Sequence, residues 1–176
     1  NNFLMKFFLS LFFIFFTFNC PVMSEQKIVF IDMDRLVSTS KPGSSIFNQL
    51  KDINNKNLNF LNKEEKKFKE KEKELLTQKN ILSELDFQNK VNKLKSEIKN
   101  YNETRNKMIE DFNKLKIKNT NNLLKLINPI ITKFTNQNDI TIILQKKNLV
   151  VAKTQLDITD EVIKIVNSEV KEFKIK

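Results

Sequence analysis

The chain has 176 residues, with 31 Lys or Arg, 21 Asp or Glu, a formal net charge of +10 and one Cys. It contains no His, which excludes Ser-His-Asp and Cys-His catalysis and His-ligated zinc, because each requires an imidazole nitrogen. The only glycine, Gly43, excludes the phosphate-binding loops of nucleotide enzymes, which place several glycine amides against phosphate. We therefore expect one ordinary domain, or a small domain with a long appendage, that has no catalytic residues, no metal site and no cofactor.

Residues 1–24 have the pattern of a secretory signal peptide. Lys6 is the only charged residue before position 25, residues 7–18 form an apolar run, and residues 22–24 resemble a cleavage site. Twelve helical residues cover about 18 Å, against a hydrocarbon core of roughly 30 Å, which disfavours an uncleaved membrane anchor. Acylation at Cys20 is a further alternative, but no typical lipobox surrounds it. We expect this segment to be cleaved on export.

Residues 25–43 are predicted to form the first part of a compact body. Lys27 to Asp32 is a short run rich in β-branched and aromatic residues, which predicts a strand buried on both faces. A turn or short helix near Asp34 to Val37 follows. Ser40 then suits the N-cap of a helix, and Pro42 suits its first turn.

Residues 44–122 are predicted to form a helical hairpin arm. Apolar residues recur every seven positions on the outward run, and alternate four and three apart on the return run, with one polar break at Arg105. Ser83 and Asp86 fit a capping box, which places the tip of the hairpin near residues 80–84. The alternative is one continuous coiled coil that passes through Ser83.

Residues 123–176 are predicted to complete the body. A dense apolar helical face begins at Leu123, and residues 140–144 and 149–152 are predicted to be two strands that form a hairpin. A last helix follows a cap at residues 157–160. The predicted fold class is therefore α+β: a small β-sheet body of three short strands plus helices, with a long antiparallel coiled-coil hairpin arm. So small a sheet favours association with other copies.

The order and spacing of these segments resemble the Skp-type (OmpH family) periplasmic chaperones. The resemblance rests on the first strand, on the tip sequence Leu82-Ser83-Glu84, and above all on the segments from Ile140 to Ile163. It implies a periplasmic homotrimer with an inter-subunit β-barrel body, and arms that hold unfolded outer-membrane proteins without ATP. The residues expected in the oligomer body are Ile28, Val29, Phe30, Ile31, Ile142, Leu144 and Val150.

The outward run offers candidate apolar contacts for a client chain. Only one apolar residue per heptad forms the seam, the row of side chains that faces the partner helix. Phe60, Phe68 and Leu76 therefore cannot all face that helix, and we expect them to face a cavity. The alternative is that each is ordinary packing within the seam. Weak contacts of this kind, made in several places at once, suit a protein that must bind many unfolded sequences.

The return run carries the basic excess. Residues 88–125 contain ten basic and four acidic side chains, a net charge of +6, whereas residues 63–74 contain six lysines and five glutamates. Such a helix would attract acidic clients and anionic lipid surfaces over about 8 Å at physiological ionic strength. The alternative is an ordinary solvated helix face. The basic candidates for client binding are Lys90, Lys93, Lys95, Lys99 and Arg105.

Three other functions compete with that of a holdase. An exported coiled-coil tether or spacer in the cell envelope is the strongest, because it needs only a stable rod and an oligomeric cap. Only the net positive charge of the chain favours nucleic-acid binding. Because the sequence has one Tyr, no Trp and no recognition motif, we expect no nucleic-acid partner. An enzyme is the weakest, because the carboxylates lie on solvated helix faces or at caps.

Overall fold

The structure is a computed structural model, and it describes residues 26–175. The predicted signal peptide lies outside the described residues. Within these 150 residues, two strands and four helices follow one another: β1 (Lys27–Ile31), α1 (Met33–Thr39), α2 (Lys41–Gln78), α3 (Glu84–Gln137), β2 (Ile140–Gln145) and α4 (Thr159–Glu169). Short 3-10 turns cover Lys146–Asn148 and Thr154–Leu156. None of the helices in this part of the chain is both long and apolar enough to cross a membrane.

Helices α2 and α3 form the predicted hairpin, with 38 and 54 residues, or about 57 and 81 Å of helix. Contacts between Gln78 and Lys90 near the tip, and between Glu65 and Tyr101 farther down, show that the helices are antiparallel. The alternative of one continuous coiled coil is therefore wrong. At the start of α3, the hydroxyl of Ser83 accepts a hydrogen bond from the backbone N–H of Asp86 at 3.1 Å, which is one half of the predicted capping box. The Asp86 carboxylate accepts from the Ser83 hydroxyl at 2.6 Å.

The sheet differs from the prediction. β1 pairs with β2 in parallel, with Ile28 opposite Ile142 and Phe30 opposite Leu144, so the whole helical hairpin is the crossover between the strands. The predicted third strand at residues 149–152 is wrong for the single chain. The chain leaves β2 through a 3-10 turn, and residues 149–152 form no hairpin with it.

The core of the body lies where α1, α3 and α4 pack against one face of this sheet. Val29 and Ile31 of β1 are buried in it, as predicted. The prediction that the strand is buried on both faces is wrong for its first half, because Ile28 on the opposite face is 42% exposed. The apolar face predicted to begin at Leu123 is also buried there. The apolar side chains with no exposed surface include Leu36, Ile127, Val162 and Val166. The core thus joins residues from both ends of the chain.

Thr159 ties the end of β1 to the start of α4. Its hydroxyl accepts a hydrogen bond from the backbone N–H of Asp32 at 2.9 Å and donates one to the carboxylate of Asp157. That carboxylate also accepts from the backbone N–H of Thr159, the first residue of α4, at 3.0 Å, while the N-cap residue Ile158 makes no side-chain capping bond. Burial alone would raise the pKa of Asp157, but the hydrogen bonds from Thr159 and the nearby ammonium of Lys146 lower it.

The junction between α1 and α2 explains the single glycine. A Cβ on Gly43 would lie 1.7 Å from the carbonyl oxygen of Val37, so no other residue fits without a shift of the backbone. Ser40 lies at the N-cap, as predicted, but its buried hydroxyl has no hydrogen-bond partner in the part of the chain that the structure describes. The side-chain oxygen of Asn167 on α4 instead accepts from the backbone N–H of Lys41, the first residue of α2, at 2.6 Å.

Candidate functional site

The inner seam of the arm is held by a few specific contacts. The ring of Phe68 packs edge-on against Tyr101, with 5.4 Å between the ring centroids. The hydroxyl of Tyr101 donates to the carboxylate of Glu65 at 2.8 Å. Partial burial and this hydrogen bond to a carboxylate raise the pKa of Tyr101. Tyr101 therefore joins both helices through an apolar contact and a polar one.

Closer to the tip, charged groups join the helices. The ammonium of Lys71 lies 2.5 Å from the carboxylate of Glu97, and this hydrogen bond lowers the pKa of the Glu97 carboxyl. Lys90 donates to the side chain of Gln78 at 2.6 Å. These groups line an open groove of about 290 Å³ that also contains Lys93. The pairs are exposed to solvent, so each contributes little to stability.

The structure places the predicted apolar client contacts in two different settings. Phe68 is half-buried in the seam against Tyr101, which matches the alternative of ordinary packing. Phe60 and Leu76 are exposed large apolar side chains on α2, 16 residues apart, or about 24 Å along the helix. The three predicted residues therefore do not form one site.

The predicted basic residues lie along α3, and all are exposed. Lys90 and Lys93 belong to the groove near the tip, and Arg105 lies in a second groove nearer the body. Lys95 lies within the span of the first groove and Lys99 lies between the two grooves, but neither residue lines a groove. The predicted basic residues are therefore spread along one helix.

Sequence reasoning missed two sets of exposed apolar residues. At the tip, Ile81 and Leu85 are 80% and 72% exposed and follow Leu76 closely in the chain. Nearer the body, Leu58 and Ile109 are exposed beside the second groove. Neither set stands out in the heptad pattern, because these residues flank the seam positions. The sign of them in the sequence is that they are apolar although they lie beside the seam and not in it.

The exposed face of the sheet is the third apolar surface. Ile28, Ile142 and Leu144 project from the face opposite the core and are each about 40% exposed. Val150, just beyond β2, is fully exposed. Of the residues predicted to form an oligomer body, these four are therefore accessible, whereas Val29, Phe30 and Ile31 are buried within the chain itself. Within residues 26–175, no group of acidic or Cys side chains is arranged to hold a metal ion.

Comparison with known proteins agrees with this architecture. The family described as outer membrane protein (OmpH-like) matches residues 27–166, which include both strands, the whole arm and most of α4. The chain belongs to the OmpH-like family. The resemblance found in the sequence is thereby confirmed.

A solved structure shows the same fold for an OmpH-like member. It is the crystal structure of a protein from Caulobacter crescentus CB15 that has been proposed to be an outer membrane chaperone. The two structures superpose with a TM-score of 0.77, over 86% of this chain and 89% of that chain, at 16% sequence identity. No curated protein is detectably similar to this chain in sequence.

Proposed function

We propose that this OmpH-like protein is an ATP-independent holdase of the periplasm, which binds unfolded outer-membrane proteins between its helical arms and prevents their aggregation. The observation that carries the proposal is a family match over an entire body-and-arm fold whose arm exposes apolar side chains. Exposed apolar side chains along a helix of more than 50 residues provide many weak contacts, which suit unfolded clients of differing sequence.

A cavity between arms requires several copies, and the body has a surface suited to their assembly. A two-stranded sheet is marginally stable alone, and one face of this sheet carries Ile28, Ile142 and Leu144 exposed. We propose that neighbouring copies cover this face in a trimer with a β-barrel body. Val150 would then lose its contact with water in the same assembly.

The charge of α3 supports a second part of the proposal. The net charge of +6 over residues 88–125 would speed the encounter with acidic clients, while apolar contacts would determine how long they stay bound. Added salt should therefore slow client association and have less effect on dissociation. An association rate that does not change across a salt series would contradict this division of roles.

The direct test measures light scattering while a denatured outer-membrane β-barrel protein is diluted into buffer without nucleotide. Increasing amounts of the purified protein should suppress aggregation, with saturation near one oligomer per client. The same client diluted with an unrelated basic coiled coil of equal charge is the control.

An envelope tether is the alternative that the same test separates. A tether would be folded and oligomeric, yet it would leave aggregation unchanged. That result would remove the holdase proposal and leave the coiled-coil spacer as the better account of the fold.

A further inference from the structure

The second groove lies between α2 and α3 and has a volume of about 340 Å³, at the small end of the range for ligand pockets. Leu61, Met108 and Phe112 form its apolar floor. Leu58 and Ile109 line its sides and are 47% and 48% exposed. Phe112 also packs against the core of the body, so the groove lies at the base of the arm.

The rim of the groove is polar and suits a polypeptide backbone. Three asparagines of α2, at positions 54, 57 and 62, line it. Each carboxamide has an acceptor oxygen and donor N–H groups, as a peptide unit has. An extended chain that is not paired in a sheet carries free N–H and C=O groups along both edges, which such a rim can satisfy.

Arg105 gives the groove a charge preference. It occupies a seam position, where the heptad pattern calls for an apolar residue, and it lines the groove. No carboxylate within residues 26–175 forms an ion pair with it, and the neighbouring Glu65 carboxylate instead accepts from Tyr101. Glu65 also lines the groove, but it already accepts from Tyr101, so Arg105 remains free to pair with a carboxylate of the occupant.

The length of the groove fits a short extended segment. Residues 54–65 of α2 line it, and eleven helical steps cover about 17 Å. An extended chain covers the same distance in about five residues, because it rises about 3.3 Å per residue. Successive side chains point to opposite faces, so three of the five would face the groove. Strands of outer-membrane barrels alternate apolar and polar residues in this way.

We infer that this groove binds an extended segment of about five residues in which apolar side chains alternate with polar ones, at least one of them acidic. The inference rests on the proposed holdase function and assigns one client-binding site to it. Apolar side chains enter between Leu58 and Ile109, the asparagine rim pairs with the backbone, and Arg105 pairs with the carboxylate.

The test measures fluorescence anisotropy of labelled peptides with the purified full protein. One peptide alternates apolar and polar residues and contains two glutamates. A second has the same composition with its apolar residues in one block, and a third has Gln at both Glu positions. The variants are L58N/I109N and R105Q, and the matched control is I117N/L126N, which changes two similarly exposed residues of α3 outside the groove.

We expect the alternating acidic peptide to bind the wild-type protein, and L58N/I109N to weaken its binding about tenfold, because two apolar contacts are lost. R105Q should weaken the acidic peptide about fivefold and leave the Gln peptide unaffected, as the loss of one ion pair predicts. The control variant should bind like the wild type. The blocked peptide should bind the wild type more weakly than the alternating one.

Equal binding to L58N/I109N and the wild type would overturn the inference. A change of oligomer mass in L58N/I109N, absent from the control variant, would also overturn it, since the groove would then join copies of the chain. A wild-type protein that suppresses aggregation but does not bind the peptide would reject the groove and leave the holdase proposal standing. Failure to suppress aggregation would reject the holdase itself.

Discussion

The body and the arm are held together in different ways. In the body, side chains from α1, α3 and α4 pack until several have no exposed surface, and Thr159 and Asn167 link segments more than 120 residues apart. In the arm, no side chain between residues 62 and 118 is buried. The helices there meet along a half-buried seam with a few exposed polar contacts.

This difference predicts that the two regions differ in stability and in role. Buried apolar area contributes most of the stability of a fold, so the body should unfold last and the arm should open locally at lower cost. An arm that opens and closes readily can adjust to clients of different shapes.

Removing a buried side chain from the body should have the largest effect. Ile127 has no exposed surface, and I127A should lower the free energy of unfolding by about 2–5 kcal/mol through lost burial and a residual cavity. The matched change in the arm is L94A, at a half-buried seam position, with an expected loss of about 1 kcal/mol. Urea unfolding followed by circular dichroism measures both, and equal losses would contradict the comparison.

Gly43 tests how tightly the arm is joined to the body. G43A should lower the free energy of unfolding by about 1–3 kcal/mol, because the new Cβ would force apart the close contact with the carbonyl of Val37. N55A, at an exposed position of α2, is the control and should be neutral or slightly stabilising, since Ala favours helix. A stabilising effect of G43A would show that α1 and α2 do not approach this closely.

Tyr101 should have a smaller and more local effect. Y101F removes the hydrogen bond to Glu65 and should cost about 1 kcal/mol, seen as faster amide exchange in the arm with unchanged exchange in the body. Equal acceleration in both regions would mean that arm and body unfold as one unit.

The raised pKa of Tyr101 also gives a pH test. Because the folded pKa lies above the ordinary value of 10.0, the hydrogen bond stabilises the arm fully below pH 10, and this stabilisation is lost as the pH rises through the folded pKa. Tyr101 is the only Tyr and there is no Trp, so tyrosinate absorbance reports this group alone. E65Q should move the titration midpoint back toward 10; an unchanged midpoint would leave burial as the whole cause.

Local patterns predicted the elements that depend on local chemistry. A β-branched run predicted the strand at Lys27–Ile31, and capping residues predicted the turn at Ser83 and the start of the last helix. The structure contains all three elements. The heptad pattern likewise indicated the two helices of the arm, because their seam repeats with helical periodicity.

Features that depend on distant partners could not be predicted in this way. Residues 149–152 have strand-forming composition, but composition does not specify a pairing partner, and β2 instead pairs with β1 across the whole arm. Ser40 looks like a cap, yet the cap is supplied by Asn167, which is 126 residues away. The groove at Arg105 depends on which side chains flank the seam in space, and the single polar break was its only sign in the sequence.

The most direct test of the account is amide hydrogen exchange of the purified protein with and without an unfolded outer-membrane β-barrel protein. We expect the client to slow exchange in α2 and α3, most strongly around residues 54–65 and 105–112, and to leave the core strand β1 and α4 unchanged. Protection confined to the body, or no protection with a client shown to be bound, would contradict the claim that the weakly held arm is the binding element.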